Sequence, residues 1–125
     1  MAYNNEWGEQ AEQIAADYLL SHGYTIRERR WRSGQSRRRE IDIIAQQGIE
    51  IVFVEVKSRS GEGEDPVEAI DEKKMRMMAK SADTYLALQE HDFSCRFDII
   101  AITGNKDSYE IEHLPDAFIS PLFSL

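Results

Sequence analysis

Two apolar segments each carry an acidic residue in a position to do chemistry. Asp42 is flanked by isoleucines, and Glu55 precedes Lys57 by two positions at the end of the apolar run 49–57. Residues two apart in a β-strand share a face, so Glu55 and Lys57 are expected on the same side. If the two segments form a hairpin, Asp42 and Glu55 can converge on one cation. Two carboxylates with water molecules make a normal Mg²⁺ site, with Lys57 as a fixed positive charge beside it.

The same residues also fit a structural ion pair of Lys57 with Glu55 or Asp42, because a buried charge needs a partner. The acid-x-Lys spacing is weak alone, since it recurs at 71–73 and 72–74, where a predicted helix would expose it to solvent. The Glu55 triplet differs because it ends an apolar strand. The sequence pattern allows both the metal site and the ion pair.

Other reactive side chains give weaker patterns. The three histidines, at positions 22, 91 and 113, have no ligand spacing and are interpreted as surface or loop residues. Cys95 has no histidine near it in sequence and is interpreted as a small, half-buried hydrophobic residue. The sequence has no glycine-rich phosphate loop and no serine in a nucleophile elbow. No side chain is therefore expected to act as a covalent nucleophile, and water would be the attacking group in a hydrolysis.

Composition bounds the class of protein. The chain has 125 residues, of which 42% are hydrophobic and 30% charged, which excludes disordered and fibrous classes and predicts one domain. No apolar run approaches the ~20 residues of a membrane span. The one cysteine cannot form an internal disulfide. Because no secretory signal is apparent either, we expect a cytoplasmic location without membrane association.

Positive charge is concentrated in one segment. The net charge is −8, yet residues 27–39 contain seven arginines and one glutamate. Arginine forms bidentate contacts with phosphate, so this segment predicts a local polyanion-binding patch. We expect binding to depend on it, because no other segment is judged basic enough to compensate. The alternative is a solvated loop whose charges only keep the protein soluble.

Periodicity predicts the elements that position these residues. A helix with one apolar face covers Trp7 to Tyr18 and ends near Gly23. Tyr24 to Trp31 is expected to be extended, with Arg27 and Arg29 on one side. The strands 40–45 and 49–57 follow as a hairpin, and both have nearly continuous apolar runs, as central strands do.

The second half of the chain predicts one more helix and two more strands. Residues 58–64 contain two glycines and no apolar residue, which predicts a mobile loop that could close over a substrate. A helix is expected from its cap at Asp65 to about Leu88, with its methionines in the core. A strand at 97–103 and an edge strand at 108–114 complete the order α-β-β-β-α-β-β, a mixed α/β sheet. The apolar tail 118–125 would close the core or join a dimer contact.

Short motifs lie along the chain from Gly8 to about Ile102: Gly8-Glu9, Ala11, Tyr18-Leu19, Gly23-Tyr24, Glu40-Ile41-Asp42-Ile43-Ile44-Ala45, Phe53-Val54-Glu55-Val56-Lys57, Arg59, Lys74, Ala82, Tyr85-Leu86 and Arg96-Phe97-Asp98. Taken together, these motifs resemble the YraN-like family of uncharacterised proteins. The family's pattern is similar to that of restriction endonucleases and archaeal Holliday-junction resolvases. The resemblance implies a single nuclease-like domain over residues 1–125, with a restriction-endonuclease-like mixed sheet flanked by helices.

The resemblance also implies roles for individual residues. Asp42 and Glu55 would bind Mg²⁺ or Mn²⁺, Lys57 would be the catalytic lysine, and Glu9 would be a further carboxylate of the catalytic set. Nucleic acid, expected to be DNA, would contact the following cations: Arg30, Arg32, Arg37, Arg38, Arg39, Arg59 and Lys74. Many relatives have glycine where this chain has Arg39. A homodimer is the assembly that resolvase-like relatives suggest.

These implications predict a Mg²⁺-dependent DNA endonuclease, acting on branched or otherwise structured DNA. The main alternative is a nucleic-acid-binding module that keeps the nuclease fold without useful catalysis. A protein-interaction adaptor that uses the methionine-rich helix and the apolar tail is a third, weaker hypothesis.

Overall fold

The computed structural model describes residues 6–34, 36, 38–61 and 71–117. The elements are two helices and five strands, in the order predicted from the sequence: α1 (Glu6–Ser21), β1 (Thr25–Trp31), β2 (Ile41–Gln47), β3 (Glu50–Arg59), α2 (Glu72–Ala87), β4 (Ser94–Asn105) and β5 (Ser108–Leu114). The α/β fold class is confirmed. The tail 118–125 and its predicted role lie outside the described residues.

The strands form one mixed sheet in the order β1-β2-β3-β4-β5. Neighbouring strands are antiparallel except β3 and β4, which are parallel. A parallel pair needs a long crossover connection, and here that connection contains α2. β3 is central, and its run Ile51–Val54 has no exposed surface. The sequence expectation of a buried β2–β3 hairpin and an edge strand at β5 is confirmed.

The two helices cover opposite faces of the sheet. Phe53 packs in a cluster with residues of α2, and its neighbour Val54 packs in a second cluster with residues of α1. Successive residues of a strand point to opposite faces, so each cluster is the core under one helix. Met78 is fully buried in the α2 cluster, and Met75 and Met77 pack against it, which confirms the predicted core role of the methionines.

The start of α2 differs from the prediction. The helix begins at Glu72, and its cap is Asp71, whose carboxylate accepts a hydrogen bond from the Lys74 N–H at 2.8 Å. Asp71 has an extended backbone, so a helix capped at Asp65 cannot run unbroken into α2. Asp65 itself lies outside the described residues.

The loop predicted for residues 58–64 also begins later than expected. Ser58 and Arg59 belong to β3, where they pair with Ile102 and Thr103 of β4. The Trp7 indole also donates a hydrogen bond to the Arg59 carbonyl at 3.3 Å. These backbone partners extend the strand through polar residues that sequence periodicity assigns to a loop. Residues 62–64 lie outside the described part of the chain.

β1 is irregular, which corrects the expected pattern of its side chains. The register shifts between Ile26 and Glu28, so a bulge lies at Arg27. Arg27 therefore reaches α2, where it donates to the Tyr85 hydroxyl at 2.8 Å, whereas Arg29 reaches α1. Arg30 follows with a φ of 54°, in the left-handed region. Strict alternation would have placed Arg27 and Arg29 on one face.

Candidate active site

Asp42 and Glu55 come together on adjacent strands. Ile43, the residue after Asp42, pairs with Val54, the residue before Glu55, in the β2–β3 ladder. The Asp42 carboxylate accepts a hydrogen bond from the Val56 N–H at 2.9 Å, which fixes it against β3. The two carboxyl groups interact directly by charge and by a side-chain hydrogen bond. The convergence expected from sequence spacing is present, and metal binding stays a prediction.

Glu55 is a strongly perturbed acid. Only 4% of its surface is exposed, and this burial is the largest cause that raises its pKa to about 8. The nearby Asp42 carboxyl raises the pKa further, because two close negative charges repel. The ammonium groups of Lys74 and Lys57 oppose the rise. The site therefore holds more negative charge than it accommodates easily, and a proton or an added cation relieves it.

Two lysines face Glu55 from different elements. The Lys57 Nζ lies 3.7 Å from a Glu55 carboxylate oxygen, and the Lys74 Nζ lies 3.3 Å from the same oxygen. Lys57 shares the strand face of Glu55, as the acid-x-Lys spacing predicts. Lys74 comes from the first turn of α2. The ion pair that the sequence left open is present, and it is compatible with a metal site beside it.

Glu12 of α1 is the main residue of this region that sequence reasoning missed. Its side chain is 4% exposed and pairs with Arg30 at 2.9 Å, Arg29 at 3.5 Å and Arg39. The left-handed backbone at Arg30 lets two successive arginines reach one carboxylate, which a regular strand would not allow. A signal existed, because Glu12 falls three and four residues before buried alanines and is in phase with the apolar face of α1.

Arg39 links this cluster to the carboxyl pair. Its Nη1 contacts Glu12 and lies 3.5 Å from Asp42 Oδ1. The three side chains line a cavity of about 290 Å³ with Glu9, which is exposed at its rim. A guanidinium thus occupies space beside the Asp42 oxygen that is not held by the Val56 amide.

Glu9 is brought near the site without joining a ligand cluster. It shares the cavity with Asp42 but has no side-chain hydrogen bond among the described residues. The part of the chain that the structure describes contains no group of three or more His, Cys, Asp or Glu side chains that could hold a metal ion. Any ion would therefore rest on Asp42 and Glu55 with water or backbone oxygens.

The arginine segment is only partly available for binding. Arg27 donates to Gln46 at 2.7 Å and to Gln89 at 2.6 Å, in addition to Tyr85, so it is a structural residue. Arg29, Arg30 and Arg39 are likewise engaged within the protein, because they pair with Glu12. Arg32 and Arg38 are exposed and make no side-chain hydrogen bond or ion pair within the described ranges.

The remaining cations predicted to bind nucleic acid have mixed positions. Arg37 lies outside the described residues. The Arg59 guanidinium donates to the Thr103 hydroxyl at 3.4 Å at the end of β3, and Lys74 faces Glu55. Of the predicted nucleic-acid-binding cations that the structure describes, Lys74 contacts Glu55 and Arg39 lies beside Asp42.

A second polar cluster lies on the α1 face of the sheet. Asp98 is fully buried and accepts hydrogen bonds from Arg96 at 2.9 Å, from the Asp116 N–H at 2.9 Å and from His113 at 2.7 Å. Burial alone would raise the pKa of Asp98, but these donors outweigh it and lower the pKa. His113 also contacts the Tyr18 hydroxyl at 3.1 Å. The interpretation of His113 as a surface residue is wrong.

Comparison with known proteins is informative once this geometry is in place. The model of "Uncharacterised protein family UPF0102" matches residues 11–102. The chain belongs to the UPF0102 family. A UPF0102 protein of Bacteroides thetaiotaomicron is 43% identical over 124 residues, which covers 98% of this chain and all of that protein.

Two further UPF0102 relatives agree over nearly the full length. The protein of Geobacter metallireducens is 44% identical and covers 93% of this chain and 94% of its own. That of Porphyromonas gingivalis is 40% identical and covers 94% of this chain and 87% of its own. The YraN-like family expected from the motifs is confirmed. These names state no activity, so the reaction must be inferred from the site.

Neither helix in the described part of the UPF0102 chain is both long and apolar enough to cross a membrane.

Proposed function

We propose that this UPF0102 protein is a Mg²⁺- or Mn²⁺-dependent endonuclease that hydrolyses phosphodiester bonds in DNA, with Asp42 and Glu55 as the metal ligands. The observation that carries the proposal is the contact between these two carboxyl groups, near the start of β2 and in the second half of β3, with Glu55 buried and its pKa raised to about 8. Two acids in contact repel each other, so their pairing does not stabilise the fold by itself. A site that binds a cation uses such a pair.

The donor set fits a hard divalent ion. Carboxylate oxygens are the ligands that Mg²⁺ and Mn²⁺ prefer, and one or two of them with water suffice for Mg²⁺. The excess negative charge that raises the Glu55 pKa would be relieved by such an ion. When bound, the ion would stabilise negative charge on the scissile phosphate and lower the pKa of a water molecule.

The residues of the chain have separable roles in this proposal. Lys57, 3.7 Å from Glu55, would orient the attacking water or stabilise charge that develops on the phosphate. Lys74, 3.3 Å from Glu55, would contact a substrate phosphate from α2. Glu9, at the rim of the cavity next to Asp42, would hold a water molecule there.

A nucleic-acid-binding module without useful catalysis is the second candidate, and one observation favours it. Arg39 lies 3.5 Å from Asp42, while both lysines lie within 3.7 Å of Glu55. The protein's own cations therefore offset part of the charge of the two carboxylates, and a proton on Glu55 can offset the rest without a metal. In this case the nuclease fold would bind DNA and leave it intact.

The test is metal-dependent cleavage. Purified protein is incubated with flapped and four-way-branched DNA in Mg²⁺, Mn²⁺ or EDTA, beside the variants Lys57→Ala and Asp42→Asn. The matched control is Lys106→Ala, which removes an exposed lysine from the β4–β5 turn. We expect cleavage in the divalent ions only, reduced about 100-fold or more in both site variants and unchanged in the control.

Calorimetric titration of Mn²⁺ gives an independent readout. Asp42→Asn should lose the binding seen in the wild type, and circular dichroism should show that the variant is folded. Wild-type protein that binds DNA but cleaves none of these substrates under any metal condition would support the binding module. Cleavage that survives Asp42→Asn would remove this residue from the proposal.

A further inference from the structure

A row of exposed cations lies on the first half of α2. Residues 72–80 contain four basic residues and one acid, in a protein of net charge −8. Lys73, Arg76 and Lys80 follow one another at spacings of three and four and therefore share one face of the helix. Arg76 pairs with Glu72 at 2.7 Å. The two lysines make no side-chain hydrogen bond or ion pair with any residue that the structure describes.

Two adjoining hollows follow this row. The first, of about 440 Å³, lies between α2 and the β1–β2 connection, and Arg38, Arg39, Lys73 and Lys74 line it. The second, of about 510 Å³, is lined by Lys73, Arg76 and Lys80. Lys73 and Met77 belong to both, so the surface is continuous. We call Arg38, Lys73, Lys74 and Lys80 the α2 track.

The acids beside the α2 track are already engaged. Glu40 accepts hydrogen bonds from the Ser33 hydroxyl at 3.0 Å and from the Ser81 hydroxyl at 2.8 Å. Asp71 accepts the Lys74 N–H as the cap of α2. Glu72, which lines the second hollow, pairs with Arg76. Together the two hollows are lined by six basic and three acidic side chains, so positive charge is in excess along the track.

The track also leads to the candidate active site. The Lys74 ammonium at its end lies 3.3 Å from Glu55. By contrast, the arginines of β1 are directed toward Glu12 or the Tyr85 region and are not free to meet a ligand. The expectation that no segment outside 27–39 is basic enough to compensate for it stays a prediction, which binding through the α2 track would contradict.

We propose that the α2 track binds the sugar–phosphate backbone of a DNA strand and directs it to Asp42 and Glu55. The choice of DNA as ligand rests on the proposed function, whereas the polyanion site rests on the track itself. The seven helical steps from Lys73 to Lys80 span about 10 Å at 1.5 Å per residue. That length matches about three steps of 3.4 Å along one strand of duplex DNA.

Fluorescence anisotropy with a labelled DNA duplex in EDTA tests the inference, because binding is then measured without cleavage. The double variant Lys73→Gln/Lys80→Gln should bind at least tenfold more weakly at low salt. The log–log dependence of affinity on salt should become shallower by about 1.8, since each phosphate contact contributes about 0.9. Lys73→Arg/Lys80→Arg should restore both.

The matched control is Lys106→Gln, which removes an exposed positive charge from the turn between β4 and β5. Equal weakening by the control, an unchanged salt slope in the double variant, or no binding by the wild type would overturn the inference. Failure of the proposed nuclease function would look different. DNA would then bind through the α2 track in EDTA, while cleavage and Mn²⁺ binding would be absent.

Discussion

Glu55→Gln should change how the stability of the protein depends on pH. The ordinary glutamate pKa is 4.5, and burial followed by the repulsion of Asp42 raises it to about 8 in the folded protein. Between these values the unfolded chain has lost its proton while the folded protein keeps it. The folded state binds more protons, so the free energy of unfolding falls as the pH rises from about 4.5 to about 8.

The size of the effect follows from the shift. Each pKa unit corresponds to about 1.4 kcal/mol, so Glu55 lowers the stability at pH 8 by at most about 5 kcal/mol relative to pH 4.5. Glutamine keeps the shape and cannot ionise. The variant should therefore match the wild type near pH 4.5 and be several kcal/mol more stable at pH 8.

Urea denaturation at half-unit steps from pH 4.5 to pH 8.5, without divalent ions, measures the difference between the two proteins. Glu72→Gln is the matched control, because it makes the same substitution at a carboxylate that is 72% exposed on the surface of α2. A wild-type protein that is more stable than Glu55→Gln at pH 8 would refute the reasoning. So would a difference that is constant with pH.

Three other changes have expected outcomes. Arg39→Ala should tighten Mn²⁺ binding about tenfold in a calorimetric titration, because it removes a guanidinium 3.5 Å from Asp42; unchanged affinity would contradict this. Glu12→Gln should lower the free energy of unfolding by about 2 kcal/mol in urea, since its arginine partners lose their counter-charge while staying partly in water; a neutral result would show that the cluster is not stabilising. Gly104→Ala should lower the melting temperature, because Gly104 has a φ of 131° and a Cβ there would collide with the Ser108 carbonyl; an unchanged melting temperature would show that the hairpin relaxes at no cost.

Local sequence patterns predicted much of the fold and the central residues of the site. The apolar runs around Asp42 and Glu55 predicted two neighbouring central strands, and the spacing of two predicted that Lys57 faces Glu55. These inferences depend on strand period and on a short hairpin link, both of which are local in sequence. They succeeded because the residues that decide them lie within a few positions of one another.

Long-range pairing could not be predicted in this way. Glu12 meets Arg39 across 27 positions, and nothing near either residue indicates the other. The Asp98 carboxylate similarly meets His113 from a different strand. The start of α2 was misassigned because Asp65 and Asp71 are both good cap residues, and only the extended backbone at Asp71 decides between them. The bulge at Arg27 has no sequence signal in this strand.

The parallel pairing of β3 with β4 has a consequence for how the protein can be cut and rejoined. The chain runs from Asp42 through Glu55 into α2 before it returns to the sheet. The carboxyl pair and the lysines of α2 therefore lie in one continuous segment of the sequence. The hairpin between β4 and β5 turns over Lys106 and Asp107, both exposed and far along the chain from that segment. A circular permutant opened at this turn would keep the whole segment intact. The same turn is the natural place to insert a reporter domain without dividing the site.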